Sequence, residues 1–419
     1  MPRKTKIIFI TVFIITLTIL LGVYFYNKSK NPNTTDPNAT FYQKFNPFSP
    51  GNKIPVNPDA KPDETNKPGE GVTSKESSKF YQITDFAVAG ATFLEDTRLV
   101  DITNTDIEGV ALEEKDPYEK APSVRYVERK NGHVYKMFLD TKTKEKISNL
   151  TITAIYESYF NSKADTVLYR YLSDDETINS LAMKIGSSTK DFLPQNITDM
   201  AVSLDKTKYF YLVKNGNGST GVSGNFEDKK ESIVFSSPFT EWLPQWTNNQ
   251  NIFLTTKPYY ASNGSIFILN TANKTITKLF GGIAGLTTLV NSNGSDILYS
   301  VSTGNGPRLN VFNINKHSSV DLKTSGLPEK CAWSNDDVTV YCAIPNTIVG
   351  NQYPNSWYQG LVSFDDYFVK INTTTGERIT LANSKDEIPV DSINMFLSKA
   401  EDKLFFVNKK DYTLWSLDL

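Results

Sequence analysis

The chain has 419 residues, with 44 Lys and Arg against 46 Asp and Glu and a formal net charge of −2. That balance offers no basic excess to hold nucleic acid, and 2 His with 2 Cys nearly exclude a His/Cys metal centre. No Walker-type loop, zinc-helix motif or Gly-x-Ser-x-Gly elbow occurs, so no cofactor is expected and no catalytic residue stands out.

Residues 1–6 carry Arg3, Lys4 and Lys6 and read as a cytoplasmic tail. Residues 7–26, IIFITVFIITLTILLGVYFY, are uncharged. As a helix they span roughly 30 Å, one bilayer core, and in lipid the backbone must satisfy itself, which selects helix over strand. The basic flank keeps the N-terminus inside, although Lys28 and Lys30 weaken that bias. The rival reading is a cleaved signal peptide, but no small-x-small site follows the apolar run. Residues 27–78 hold 8 of the 20 prolines and few aliphatics. They read as a disordered linker reaching about 40 Å. Its aromatic patch Phe41–Phe48 suits docking or the lipid interface equally.

Residues 79–419 read as an all-β, seven-bladed propeller of four-stranded antiparallel blades. A Ser or Thr, a polar turn, then an aromatic or apolar residue seven positions on recurs from Ser162, Ser203, Thr247, Ser292, Ser334 and Ser398. The starts step by 41, 44, 45, 42 and 64 residues. A period in the low forties with several short strands is a propeller signature, and the long step marks a blade with an insertion. The alternative is a β-sandwich with accidental spacing. Second hairpins follow at Phe267–Ile276, Val311–Val320 and Phe368–Ile379. In the first blade, Asn131-Gly132 is a hairpin turn and Glu95–Ser123 reads as a loop. The last unit, ending Tyr412–Leu419, shows three strands, so Tyr81–Ala89 is expected to supply its fourth and close the ring.

The stretch Cys331–Cys342 folds about Asp336-Asp337. That pairs Trp333 with Val340 and puts Cys331 opposite Cys342, within disulfide reach. The alternative is two buried free thiols.

Trp333-Ser-Asn-Asp336 resembles the Trp-Ser-Pro-Asp-Gly strand of TolB-like and WD-repeat-like propellers, without its Pro and Gly. Arg125–Tyr135, and Leu327–Ser334 with Val340–Pro345, are more specific. With the anchor and linker, they resemble a group of membrane-anchored propellers of that kind from candidate-phyla bacteria. The resemblance implies the fold and an extracytoplasmic location, and carries no activity residue by residue.

With strands a to d in each blade, a–b and c–d turns share one face, and b–c and d–a connections share the other. The b–c connections read as long at 214–224, 257–264, 302–308 and 346–360. Trp242, Tyr259, Tyr260, Tyr353, Trp357 and Tyr358 are therefore candidates for partner or ligand binding, against the alternative that they pack on neighbouring loops. His133 and His317 are expected at turns on the opposite face. Asp101–Asp106 and Asn291–Asp296 have calcium-like oxygen spacing but also read as plain turns.

The expected function is that of a single-pass, cytoplasmic-membrane-anchored binding or assembly module. Its extracytoplasmic propeller would engage an envelope protein or surface polysaccharide. The alternatives are an envelope carbohydrate-active hydrolase and a structural spacer. Two acids about 5–10 Å apart at the mouth of the loop face would favour the enzyme.

Overall fold

A computed structural model describes residues 78–99, 118–216, 218–247, 250–384 and 388–419. The expected tail, membrane helix and linker, Ser78 excepted, lie outside these residues, as does Asp101–Asp106. Among the described residues no helix is long and apolar enough to cross a membrane.

Chain order gives β1 (Phe80–Gln82), β2–β5 (Val88–Leu99, Tyr118–Glu128, Val134–Phe138, Lys144–Lys146) and β6–β9 (Ile155–Phe160, Thr166–Leu172, Ile178–Lys184, Asp191–Phe192). Next come β10–β13 (Ile197–Val202, Lys208–Asn215, Gly218–Asn225, Glu231–Ser237) and β14–β17 (Trp242–Trp246, Asn251–Thr256, Asn263–Asn270, Thr275–Ala284). The rest are β18–β21 (Thr287–Val290, Asp296–Thr303, Gly306–Asn313, Ser318–Ser325), β22–β25 (Cys331–Trp333, Thr339–Pro345, Asp366–Asn372, Arg378–Asn383) and β26–β28 (Ser392–Leu397, Lys403–Asn408, Leu414–Asp418). Six sheets pair their four strands in chain order, and the seventh runs β1-β28-β27-β26.

Burial explains the sequence of each strand. Second strands lie between two neighbouring blades and read as unbroken apolar runs, such as Tyr209–Leu212 in β11 and Leu404–Val407 in β27. Outermost strands face water, so β5 is Lys-Glu-Lys and β25 begins Arg-Ile-Thr, all exposed. Apolar clusters sit between each consecutive pair of blades, and Ile83, Val124, Tyr126, Phe405 and Leu414 join the seventh blade to the first. The sheets therefore form a closed seven-bladed propeller.

Closure follows the expected route, with a boundary difference. β1 pairs with β28 in the register Phe80↔Leu417, Tyr81↔Ser416 and Gln82↔Trp415. Val88 and Ala89 already belong to β2, the inner strand of the first blade. The repeated Ser or Thr begins the turn after each inner strand. The Ser203 hydroxyl donates to Asp205 at 2.6 Å, and Lys206 takes a left-handed φ of 54°. These turns also tie blades together. Ser292 N donates to Asp337 Oδ1 at 2.9 Å, and Asn335 N donates to Glu401 Oε1 at 2.6 Å.

Four expectations are corrected. The Gly-rich stretch 214–224 is strand, with a turn only between Asn215 and Gly218. Its glycines serve packing, since a Cβ on Gly221 would lie 2.5 Å from the Phe210 ring and one on Gly224 2.3 Å from Tyr209. Likewise 302–308 is a tight hairpin of β19 and β20, paired to Thr303↔Gly306. The described ends of Glu95–Ser123, residues 95–99 and 118–123, are strand. β2 and β3 stay paired to Leu99↔Tyr118, where Arg98 bridges Glu119 and Asp140, each at 2.6 Å. His133 follows the turn between second and third strands of blade 1, so it lies on the b–c face rather than opposite it.

Candidate functional site

The long connection that remains on the b–c face is 346–365, between β23 and β24. Its root carries the disulfide. Cys331 pairs with Cys342 across β22 and β23, with Cα atoms 4.1 Å apart. The pairing was readable from the hairpin register.

This insertion folds inward. Its helix α1, Asn355–Tyr358, receives a hydrogen bond from Tyr260 N to Asn355 Oδ1 at 2.7 Å, and Lys409 Nζ donates to Trp357 O at 2.8 Å. Blades 4 and 7 thus both hold α1. Beneath it, Leu327, Tyr353, Trp357 and Phe364 form a buried cluster. A Cβ on Gly285 would come within 2.6 Å of Tyr353 O, so the insertion also presses closely on the entry to blade 5.

A buried ion network fixes this layer. Lys330 Nζ lies 2.7 Å from Asp366 Oδ2 and 2.6 Å from Asp391 Oδ1, and all three side chains are 0 % exposed. Asp391 also accepts hydrogen bonds from Trp357 Nε1 at 3.0 Å, the Ser363 hydroxyl at 3.2 Å and Phe364 N at 3.1 Å. Ser392 N donates to Asp366 Oδ2 at 2.7 Å. Burial pushes the Asp366 carboxyl up to about 6 against the pull of Lys330, with Asp391 pushing the same way. Burial also lowers the Lys409 ammonium. Two buried carboxylates share Lys330, with Lys409 also acting on Asp391, so removing one partner would leave buried charge uncompensated.

The aromatic candidates divide on this geometry. Tyr353 and Trp357 are buried in the cluster, and Tyr358 donates its hydroxyl to Glu329 Oε1. Tyr259 is half-exposed and Tyr260 partly buried, with their rings 4.9 Å apart. The insertion brings these five into one region. Trp242 lies elsewhere, buried between blades 3 and 4 with edge contacts to Phe235, Phe239 and Phe267. Exposure on loops was expected of all six, and Trp242, Tyr353 and Trp357 correct it. Their indole and ring surfaces complete a core. Val349 and Leu361 supply exposed apolar surface on the insertion instead.

A second constellation lies where the inner strands of blades 2 and 3 start, the end that faces the b–c side. Both strands carry a bulge there, between Ile155 and Glu157 in β6 and between Ile197 and Asp199 in β10. Bulges re-aim side chains, and the residues that follow them are Glu157 and Asp199. Arg170, directly opposite Glu157 in register, reaches both carboxylates. Its Nη1 lies 2.7 Å from Glu157 Oε2 and 3.9 Å from Asp199 Oδ1, so these two oxygens are at most 6.6 Å apart, the sum of the two distances. Arg170 is 2 % exposed, whereas Glu157 and Asp199 keep 33 % and 26 %.

Burial and neighbouring charges shift the acids of both groups. Burial pushes Asp199 up to about 7 against the attraction of Arg170, and the Glu157 charge adds to the rise. Burial, the Glu329 charge and the Asp199 charge all raise the Tyr358 hydroxyl. Burial raises Glu329 too. Sequence reasoning missed Glu157, Asp199, Arg170, Glu329 and the Lys330 network. One signal was available, because Glu157 and Asp199 are 42 residues apart, one repeat, and fall before the repeat's serine in both blades.

Asn291–Asp296 is a turn whose oxygens are committed to hydrogen bonds, Asn291 Oδ1 accepting Ser295 N at 2.9 Å and Asp296 N at 3.0 Å. Among the described residues no group of three or more His, Cys, Asp or Glu is placed to hold a metal ion. A groove of about 510 Å³ lies between blades 2 and 3 at the opposite ends of their strands. Its charges are answered locally, Lys229 by Asp191 at 2.6 Å and Lys184 by Asp165 at 3.6 Å. The chemistry therefore concentrates at the other face, around Glu157, Asp199 and Arg170.

No protein-family model and no curated protein matches the sequence. Solved structures do resemble the fold. The chain is similar to an oligogalacturonate lyase from Vibrio parahaemolyticus at 9 % identity and TM-score 0.48, covering 79 % of this chain and 98 % of that one. It is similar to TolB from Acinetobacter baumannii at 9 % identity and TM-score 0.40, covering 71 % and 77 %. A puromycin-hydrolysing peptidase from Mycobacterium tuberculosis matches at 11 % identity and TM-score 0.45, covering 71 % and 49 %.

Proposed function

We propose that this protein is a membrane-anchored, extracytoplasmic binding or assembly module of the cell envelope. Residues 7–26 would anchor it in the cytoplasmic membrane with the N-terminus inside. Its b–c face would engage an envelope protein or a surface polymer, and it takes no nucleic acid and no cofactor. One observation carries this reading. The 346–365 insertion is braced by a disulfide at its root and by the buried Lys330–Asp366–Asp391 network beneath it. A loop held that firmly keeps its outward residues in one arrangement, which lowers the ordering cost of binding. The outward residues are Tyr259 of blade 4 with Val349 and Leu361 of the insertion. Because Phe80 enters the outermost strand of blade 7 from the a–b side, this face lies opposite the chain's entry into the propeller.

In-cell photocrosslinking from positions 259 and 361, with position 379 on the exposed outer strand β25 as control, tests the reading. A discrete adduct from 259 and 361 that 379 does not give supports it. Equal background from all three sinks it.

A second reading, hydrolysis of a surface polysaccharide, is favoured by the acid pair. Carboxyl oxygens no more than 6.6 Å apart, with Asp199 raised to about 7, fall near the spacings of glycoside-cleaving pairs. Asp199 would protonate the leaving oxygen and Glu157 would receive the proton of the attacking water. Release of reducing ends from envelope polysaccharide by the wild type and not by Asp199→Asn is the expected result. Equal release by both would remove this reading.

A further inference from the structure

The groove between blades 2 and 3 opens at the strand ends opposite the insertion. Blade 2 has the shortest outer strand of the seven, β9, which is Asp191 and Phe192 alone and pairs only with Leu181 and Ala182. The outer end of the apolar cluster between blades 2 and 3 therefore has little strand to cover it. Ala182, Leu193 and Phe226 pack on that cluster, stay partly buried, and line the groove. Phe192 lines it as well and is 67 % exposed. The volume, about 510 Å³, falls within the range of ligand pockets, about 300–1,000 Å³.

Charge changes sign along the groove. Toward the axis, the turns after β6 and β10 and the end of β8 bring Lys163, Lys184, Lys206 and Lys208 against Asp165 and Asp205, four lysines to two aspartates. Toward the rim, Asp191, Glu227, Asp228 and Glu231 stand with Lys190, Lys229 and Lys230, four acids to three lysines. Most of these charges are committed. Lys184 lies 3.6 Å from Asp165, Lys229 2.6 Å from Asp191 and Lys230 3.0 Å from Asp228. Lys206 donates to the Thr92 hydroxyl, and Glu231 accepts from the hydroxyls of Tyr209 and Tyr211 at 3.0 and 2.8 Å. Among the described residues that line the groove, Lys163 at the axis end and Glu227 at the rim end have no ion-pair partner.

We propose that this groove docks an extended peptide segment of a partner protein. Its acidic residue meets Lys163, its apolar or aromatic residue fills the floor beside Phe192, and its basic residue meets Glu227. The sign change selects this class of ligand. A polyanion meets repulsion at the rim end and a polycation at the axis end. A neutral saccharide leaves both charges unanswered and cannot fill an aliphatic and aromatic floor as a side chain does. The Lys229–Asp191 bridge joins the two walls, but both side chains are exposed, 58 % and 40 %. A bridge of that kind contributes little, so an entering peptide displaces it readily.

Phage-displayed random peptides, selected on the full-length protein in detergent micelles, supply the probe. Enriched sequences are expected to carry an acidic and a basic residue flanking an apolar or aromatic one. The most enriched peptide is then synthesised with a fluorophore, and anisotropy reads its Kd. Phe192→Ser, Lys163→Glu and Glu227→Lys should each weaken it about 10-fold, the loss of one apolar contact or the reversal of one exposed charge contact. Ile379→Ser, on the outer strand of blade 6, should bind as wild type. A peptide whose acidic residue is changed to Lys should lose affinity for the wild type and regain it on Lys163→Glu, an exchange that a change in folding does not produce. No enrichment, binding undiminished by the three groove variants, or no regain on exchange would each overturn the proposal. So would self-association of the protein that Phe192→Ser abolishes, since a second copy would then fill the groove. Crosslinking from positions 259 and 361 probes the other face, so the two readings fail separately.

Discussion

Replacing Lys330 by Met should be among the most damaging single changes outside the ring of inter-blade clusters. The substitution keeps the side-chain length and removes the charge. Asp366 Oδ2 and Asp391 Oδ1 lie 2.7 Å and 2.6 Å from the same nitrogen, so they are at most 5.3 Å apart, the sum of the two distances, and neither side chain is exposed. Two bare carboxylates at that separation repel by about 3 kcal/mol at an effective dielectric of about 20. Breaking a buried pair by removing one partner typically costs about 3–5 kcal/mol. Relief is available through Asp366, whose carboxyl already sits near 6. Its folded value is raised above the unfolded value of about 4, so the stability it contributes is present below about 4 and lost as pH rises through about 6. Without Lys330 that window moves to higher pH. The expected loss is therefore about 3–5 kcal/mol at pH 8 and clearly smaller at pH 5. Urea unfolding followed by tryptophan fluorescence reads it, because Trp357 donates to Asp391 and its ring lies 5.3 Å from Lys330 Nζ. Adding Asp366→Asn to Lys330→Met should restore at least half of the loss at pH 8. A cost under about 1 kcal/mol, or one that does not change with pH, would refute the argument that the network's charge braces the insertion.

Replacing both Cys331 and Cys342 by Ala should lower stability by about 3 kcal/mol, the chain-entropy value for closing a loop of about twelve residues. Thermal unfolding with and without reductant checks it, and only the wild type should respond. Removing residues 78–83 takes away Phe80 and Ile83, both buried, and leaves β28 as an open edge strand paired only with β27. A loss of about 3–6 kcal/mol follows from those two side chains, with strand-mediated association visible by light scattering. For Asp199, a folded value near 7 against about 4 unfolded makes its contribution fall as pH rises from 4 through 7. Asp199→Asn should flatten the decline of the unfolding midpoint between pH 5 and 8, and an unchanged slope would assign the decline to other groups.

The fold was legible wherever burial imposes a repeating pattern on the sequence. Each second strand is pressed by two neighbours and needs apolar residues on both faces, while each turn before it needs a serine or threonine and a polar run to reverse the chain. Those demands recur once per blade, so the period appears from Ser162 to Ser398. The Cys331–Cys342 pairing was legible for the same reason, because a hairpin fixes which residues face each other. Where glycine was taken as a sign of a loop, the reading failed. Gly221 and Gly224 lie in β12 because Phe210 and Tyr209 fill the space a Cβ would need. Composition alone does not separate a glycine that frees the backbone from one that makes room for a ring.

The candidate site was less legible because its chemistry is assembled between blades. Trp357 and Tyr353 looked like exposed recognition residues in a polar connection, yet a twenty-residue insertion has its own surface to bury and uses its largest rings to do so. The acids that reach solvent come instead from strands, where a single extra residue turns a side chain out of alternation. Those bulges, at Tyr156 and Thr198, leave no compositional trace. They occur in adjacent blades at matching positions, and one arginine from the neighbouring strand joins the two carboxylates they redirect. The inner strand of blade 1 carries the same bulge, between Val88 and Gly90, where glycine presents no side chain, so what is particular to blades 2 and 3 is the acid that follows the bulge.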